Sequence, residues 1–182
     1  MSARSARQQR IAYEWVSAGV EHVTHLQRFI CTDPPRRVYE PGFGRRHPRP
    51  WELDVQAHLR DLRLPLSQSE NLLLCIADND DVVAACHYGF DDEGKDFIIF
   101  ALAVAPDHTH RGLGQRILSL ALETIRQTAE QQPERAWSTI ARIDHRNGPS
   151  RALFQRMRFE RIRDAVDDLE LWEFVIERPG AM

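Results

Sequence analysis

The sequence predicts an α/β protein of the α+β kind, with a mixed, mostly antiparallel central sheet flanked by helices, and three observations predict it. Three apolar runs follow one another closely, NLLLCIA (71–77), VVAACHYGF (82–90) and FIIFALAV (97–104), separated by the turn-forming stretches DNDD and DDEGKD. A helical stripe of Ile117, Leu118, Ala121, Leu122 and Ile125 then precedes another strand candidate, AWSTIARI (136–143). That strand, helix, strand order requires a crossover and therefore some parallel pairing. Finally, two helical patterns precede the strands, and a helix and a strand pair follow them.

VEHVTHLQRFI (20–30) spaces Val20, Val23, Leu26 and Ile30 as one face of an amphipathic helix. His22 and His25 are three apart on it and read as solvated helix surface, since no HExxH pattern or cysteine pair accompanies them. TDPPRRVYEPGFGRRHPRP (32–50) is too rich in Pro and Gly for a helix or a central strand and reads as a long loop. WELDVQAHLRDLRL resumes helical spacing through Trp51, Val55, Leu59 and Leu62 until Pro65 ends it. The first two apolar runs form an antiparallel meander with FIIFALAV, which is apolar enough to be a central strand covered on both faces. NGPSRALFQRM (147–157) has a capping Asn or Gly, Pro149 in its first turn, and Leu153 with Met157 on one face. A short strand near 159–163 and the alternating ELWEFVI (170–176) close the sheet.

Composition bounds the class. A chain of 182 residues suits a single domain spanning 1–182. Apolar residues at 42% and charged residues at 28% are an ordinary globular mixture, and a formal charge of −3 gives no global pull toward nucleic acid or anionic membrane. No apolar run approaches the ~20 residues of a bilayer span, and MSARSARQQR is too polar for a secretory signal, so a cytoplasmic location is expected. Cys31, Cys75 and Cys86 lack metal or redox spacing and read as reduced thiols, two of them in apolar runs, and no metal site is expected.

The segment VAPDHTHRGLGQRIL (104–118) carries the chemistry. It follows an apolar strand, opens a helix, and brackets Leu113 between Gly112 and Gly114. Such a turn presents backbone N–H groups to an anion, with the helix N-terminus adding partial positive charge and Arg111 and Arg116 reinforcing it. Taken alone, two glycines in a strand-to-helix turn indicate only backbone geometry. The GK[ST] of a P-loop is missing, as is the third glycine of a dinucleotide fingerprint, which disfavours nucleotide hydrolysis and hydride transfer.

The order of parts, with "LAVAP" ending the strand, "THRGLG" in the turn, and Asn147 before "SRALFQRMRF", resembles the GNAT family of N-acyltransferases, most strongly over residues 97–159. The resemblance implies a GNAT-like acyl-CoA-binding domain that transfers an acyl group, acetyl from acetyl-CoA, to a primary amine by direct attack. On it, the backbone of Ala103 and Val104 offers an open strand edge to the pantetheine arm. The turn Thr109, His110, Arg111, Gly112, Leu113, Gly114 and Gln115 takes the pyrophosphate, and Asn147 meets an amide of the arm. From the residues alone Asn147 reads equally as a helix cap.

Three positions depart from the family pattern. Thr109 stands in place of Gln or Arg, Arg158 in place of Gly, and Phe154 where many members carry a Tyr that protonates the leaving thiolate. A thiol of pKa ~8.5 leaves tolerably without that help, but an amine of pKa ~10.4 must first lose a proton. His87 lies opposite roughly Ile98 to Phe100 if the DDEG turn closes the hairpin, and is the candidate base; the alternative is a half-buried histidine satisfied by a neighbour. Asp144 and His145, at the end of the next strand, are further candidates near the cofactor cleft, with solvent-exposed loop residues the preferred reading. The loop 32–50, with Arg36, Arg37, Arg45, Arg46, His47 and Arg49, lies at the acceptor entrance by this resemblance and suits an acidic acceptor, a small molecule or a peptide amine. The weightier alternative is a solvated loop pinned by Tyr39, Phe43 and Trp51, and RNA is the lesser reading because no RNA-binding motif accompanies these arginines. Some family members place a carboxylate in the strand before the turn, where Ile98, Ile99 and Phe100 stand here; its absence and Phe154 leave a second reading open, a module that binds acyl-CoA without turnover. The Trp and Phe of the last strand suggest a homodimer surface.

Overall fold

The computed structural model describes residues 12–91, 96–131 and 137–176. A seven-stranded sheet runs in the order β1-β4-β5-β6-β7-β9-β8. Its strands are β1 (Tyr13–Ser17), β4 (Glu70–Ala77), β5 (Val82–Asp91), β6 (Asp96–Val104), β7 (Trp137–Asp144), β8 (Glu160–Val166) and β9 (Leu169–Ile176). Among the described residues only β6 and β7 pair in parallel, as their crossover through helix α3 (Leu113–Glu130) requires. The DDEG turn, apart from Asp91, lies outside the described residues, but Asp91 pairs with Asp96, so β5 and β6 are neighbours as expected.

Two cores cover the two faces. On one, α3 buries Leu113, Ile117, Leu118, Ala121, Leu122 and Ile125, and α4 (Gly148–Arg156) adds Phe154, against Cys86, Tyr88, Ile99 and Trp172. On the other, α1 (Val23–Arg28) contributes Leu26 and α2 (Pro50–Asp61) contributes Leu59, against Leu72, Leu74, Ala85, Ala101 and Ala103. β5 is buried along most of its length, which explains why its sequence shows no polar alternation.

Some expectations need correction. The segment 32–50 is not irregular throughout: it holds a small hairpin, β2 (Val38–Glu40) and β3 (Gly44–Arg46), outside the main sheet, turned by Gly42 and Gly44 at φ +82° and +76°. The strand β1 was not anticipated. The last strand exposes no aromatic surface for a dimer, because β9 lies between β7 and β8 and its Trp172 and Phe174 are buried in the chain's own core. His22 and His25 are half-buried instead of freely solvated; His22 Nδ1 accepts from the Gly19 amide and His25 Nε2 meets Asp80.

One irregularity positions everything that follows. Between His87 and Tyr88 the β5–β6 register shifts, so that His87 pairs with Ala101 and Tyr88 with Ile99, leaving Phe100 as an extra residue. Such a bulge bends and twists its strand. The pairing of β6 with β7 ends at the same place: it covers Phe97, Ile98 and Ile99 and goes no further. Beyond the bulge the two parallel strands part, and a wedge opens in the sheet.

Candidate functional site

The wedge exposes one edge of β6 from Phe100 onward. In an antiparallel ladder, successive residues alternate between bonding their partner and facing away from it. Ala105 donates to Val83 O at 2.8 Å, and Ala103 is paired with Ala85 two residues earlier, so Ala103 also bonds across to β5. The N–H and C=O groups turned to the open edge are therefore those of Leu102 and Val104. Ala103, expected on the open edge, bonds instead to β5, and Val104 stands on that edge.

The strand runs directly into the glycine turn. Gly112 has φ +78° and nothing within 4 Å of where a Cβ would stand, so the chain reverses there without strain and a ligand can approach the backbone. It is the N-cap of α3 and supplies no side chain to the first-turn amides, which leaves the N–H groups of Leu113, Gly114 and Gln115 for another acceptor. A Cβ on Gly114 would come within 3.4 Å of Leu153 and 3.6 Å of Val104, which brings α3, α4 and β6 close together at this point. His110 takes a positive φ of 59°, and Arg111 and Arg116 are exposed beside the turn. The Thr109 hydroxyl donates to Pro106 O at 2.8 Å, so its own turn already occupies it. Leu113 points its side chain into the core and offers only its amide.

A cleft of about 370 Å³ lies in the wedge, between α2, β6 beyond the bulge, β7, α4 and the β8–β9 turn. Asn147 lines it and caps α4, its Oδ1 accepting from the Ser150 amide at 3.2 Å, so the capping role is realised. Phe154 also lines it, buried and edge-on to Phe159, and offers no proton.

The acceptor side differs from expectation. None of the loop arginines from 36 to 49 lines the cleft; its charged lining is Asp54, Asp144, Asp167 and Asp168 against Arg142 and Arg146. Asp144 is buried, not solvent-exposed, and Arg146 grips it through Nε at 2.9 Å and Nη2 at 2.7 Å. The Arg146 hydrogen bond, outweighing burial, holds the Asp144 carboxyl below the usual carboxylate range. Arg146 also reaches Asp168 at 3.2 Å and lies 5.1 Å over the Trp51 ring, joining α2 to the far wall.

His87 is 3% exposed and stacks between two rings, His58 of α2 at 5.1 Å and Phe100 at 4.8 Å. Its Nδ1 lies 2.9 Å from His58 Nε2, and its Nε2 has no partner among the described residues. The bulge brings His87 opposite Ala101, slightly beyond the Ile98 to Phe100 span expected from the turn. Burial first, and the neighbouring His58 second, lower its pKa to about 4 against the opposing pull of Glu70. His87 does not line the cleft; Phe100 and Ala101 stand between.

Several contributors carry no local sequence signal. His58 is 29 residues from His87 and meets it only through the packing of α2 on the sheet. Glu170, buried on β9, accepts from Arg151 of α4, Arg161 of β8 and the Trp172 indole. Burial raises its pKa, but the bonds from Trp172 and Arg161 and the charges of Arg151 and Arg161 prevail and hold it below the usual carboxylate range. This cluster anchors α4, and with it Asn147 and Phe154, to the sheet.

Solved structures with the same architecture are numerous. At TM-score 0.63 and 10% identity, the chain resembles the PaiA N-acetyltransferase of Thermoplasma acidophilum in complex with coenzyme A, with 91% of this chain and 99% of that one covered. At 0.58 and 12%, it resembles the ribosomal-protein-S18-alanine N-acetyltransferase of Escherichia coli, with 93% and 97% covered. At 0.56 and 9%, it resembles mutant forms of the spermidine/spermine N-acetyltransferase SpeG of Vibrio cholerae, with 90% and 93% covered. No curated protein matches at a significant level. The family model of the acetyltransferase (GNAT) family matches residues 32–159, over a wedge, glycine turn and α4 cap in the arrangement described above. The chain belongs to the GNAT family of acetyltransferases.

Proposed function

We propose that the protein is an acyl-CoA-dependent N-acyltransferase that moves an acetyl group from acetyl-CoA to a primary amine by direct attack on the thioester. The observation that carries this reading is the wedge: an open strand edge at Leu102 and Val104 running straight into uncapped helix amides at Gly112 to Gln115. An extended arm ending in a pyrophosphate needs that pair of features in that order, amide ladder first and anion cradle second. In this reading the backbone of 109–115, with His110 and Arg111, holds the phosphates. Val104 and Leu102 hold the arm, and Asn147, with its Oδ1 on the helix cap, offers its amide N–H₂ to a carbonyl of the arm.

The cleft's carboxylates favour the amine acceptor. Asp54, Asp144, Asp167 and Asp168 outnumber Arg142 and Arg146 on its lining, which suits an ammonium more than the acidic acceptor suggested by the loop. Small-molecule and peptide amines both meet that requirement, and RNA does not. The buried thiols, Cys75 pushed up to about 11 and Cys86 to about 12 by burial, stay protonated and outside the chemistry, which fits a reducing cytoplasmic setting and a direct mechanism.

The buried phenyl ring of Phe154 supports a second reading, a module of the same fold that binds acyl-CoA without turnover. Thiol release from acetyl-CoA with a panel of mono- and polyamines and peptide N-termini separates the two. Amine-dependent release is the expected result; tight CoA binding with no release across the panel would favour the binding module.

A further inference from the structure

We propose that His58 and His87 form a two-imidazole proton path from the acceptor side of the cleft to solvent. The path rests on the N-acyltransferase reading, and it gives a role to a pair that reading leaves idle.

The geometry has three parts. His87 is buried against the bulge, behind Phe100 and Ala101, both of which line the cleft. Its Nε2 is buried and without a partner, although buried polar atoms are nearly always bonded. Its other nitrogen meets His58 Nε2 at 2.9 Å, and His58 lies at the protein surface one turn of α2 beyond Asp54 and Val55, which also line the cleft. The pair thus connects a water-excluded point beside the cleft wall to bulk water through one short hydrogen bond. A bulge is a usual means of re-aiming a side chain beside a reacting centre, and this one sets Phe100 and Ala101 together opposite His87.

The charged groups around the pair are few. Glu70 on β4 acts on both rings, and Asp61 on α2 acts on His58. Both raise the imidazole pKa values, but burial prevails and keeps both rings below the ordinary range. At neutral pH the pair is therefore uncharged, with a lone pair ready, and too weak a base to retain a proton. Such a group serves by passing a proton onward.

The steps balance. The ammonium loses a proton to His87 Nε2 through one water, which the half-exposed Phe100 ring must turn aside to admit; as that N–H forms, His87 Nδ1–H passes its proton to His58 Nε2, and His58 Nδ1–H releases one to water. The free amine attacks, the C–N bond forms and the C–S bond breaks. Both rings then return to their starting tautomers by the reverse transfer, which takes one proton from water at His58 and delivers one from His87 Nε2 to the thiolate. The second nitrogen proton leaves through solvent in the cleft. Ammonium and thioester give amide, thiol and one proton, and no phenol at position 154 is needed.

The test compares wild type, His58→Gln, His58→Ala and His87→Gln in amine-dependent thiol release from about pH 5.5 to 9, with and without added imidazole. His58→Gln is a surface change and should keep its melting temperature and CoA affinity while losing about tenfold in kcat near neutral pH, with an altered pH profile. His58→Ala should regain part of its rate with imidazole in the buffer, and His87→Gln should lose more and regain nothing. An unchanged kcat and pH profile in both His58 variants, or a loss that imidazole does not relieve, would overturn the path. No thiol release by the wild type with any amine would instead overturn the acyltransferase reading beneath it.

Discussion

The turn that opens α3 and the cleft wall around Trp51, Asp144 and Arg146 differ in what they are made of. The turn acts through main-chain atoms that a contiguous stretch of sequence, residues 109–115, places by itself; Gly112 at φ +78° is its key position. The wall acts through side chains from α2, the end of β7 and the β8–β9 turn, brought together only by the sheet. A surface of backbone fits a constant partner and tolerates side-chain drift, as Thr109 illustrates with its hydroxyl turned back to Pro106. A surface of side chains changes with each substitution and is where, on the proposed function, the choice of amine would be set. That difference can be tested at both ends and at the joints between them.

The largest effect is expected on the acceptor face, from pH. His87 has its pKa lowered to about 4 in the fold, whereas an imidazole in the unfolded chain titrates near 6.5. Between those values the unfolded chain binds more protons, so stability is full above the unfolded value and falls as pH drops through the window, by about 3 kcal/mol in all. Urea denaturation at neutral and acid pH should show this loss in the wild type and a flatter response in His87→Gln. Next comes the joint at Glu170: Glu170→Ala strands the Trp172 indole N–H and should cost roughly 1–3 kcal/mol by the same measurement. At the turn, Gly112→Asp has room for its side chain and a residue tolerant of left-handed backbone. It should cost about 1 kcal/mol of stability, as Gly112→Asn should, and weaken CoA binding about tenfold, by calorimetry, through charge repulsion. Gly112→Asn, equal in shape and uncharged, should bind within about twofold of wild type. The smallest effect belongs to the outlying hairpin. Tyr39 and Phe43 are 73% and 59% exposed, and serine at either should move stability by no more than about 0.5 kcal/mol and leave CoA affinity alone.

The same contrast explains what was legible in the sequence. The meander, the α3 stripe and the α4 start are patterns of neighbours in the chain, and the structure has them within a few residues of where periodicity puts them. The strand β1 is five residues long and gains its identity from pairing with β4, a partner more than fifty positions away, so local pattern gave no cue. The β2–β3 hairpin hides among the Pro and Gly residues that otherwise mark a loop. His87 was visible as a titratable group in an apolar run, but its partner His58 was not, because only the docking of α2 makes them neighbours. Asp144 looked like the end of a strand facing solvent until Arg146, two residues on, folded back over it. The family resemblance gives the open edge to Ala103 and Val104, whereas ladder parity, fixed by the register with β5, gives that edge to Leu102 and Val104.

The bulge at Phe100 has a mechanical consequence. Among the described residues, all backbone pairing between the four strands β1, β4, β5 and β6 and the three strands β7, β9 and β8 passes through Phe97, Ile98 and Ile99. The sheet is thus two leaves stitched along a short seam. An arm laid along Leu102 and Val104 would extend the stitching, so the benefit of a bound donor reaches beyond the residues it touches. Amide hydrogen exchange should slow on β7 and β9 as well as on β6 when coenzyme A is added, because opening either leaf would then have to release the ligand.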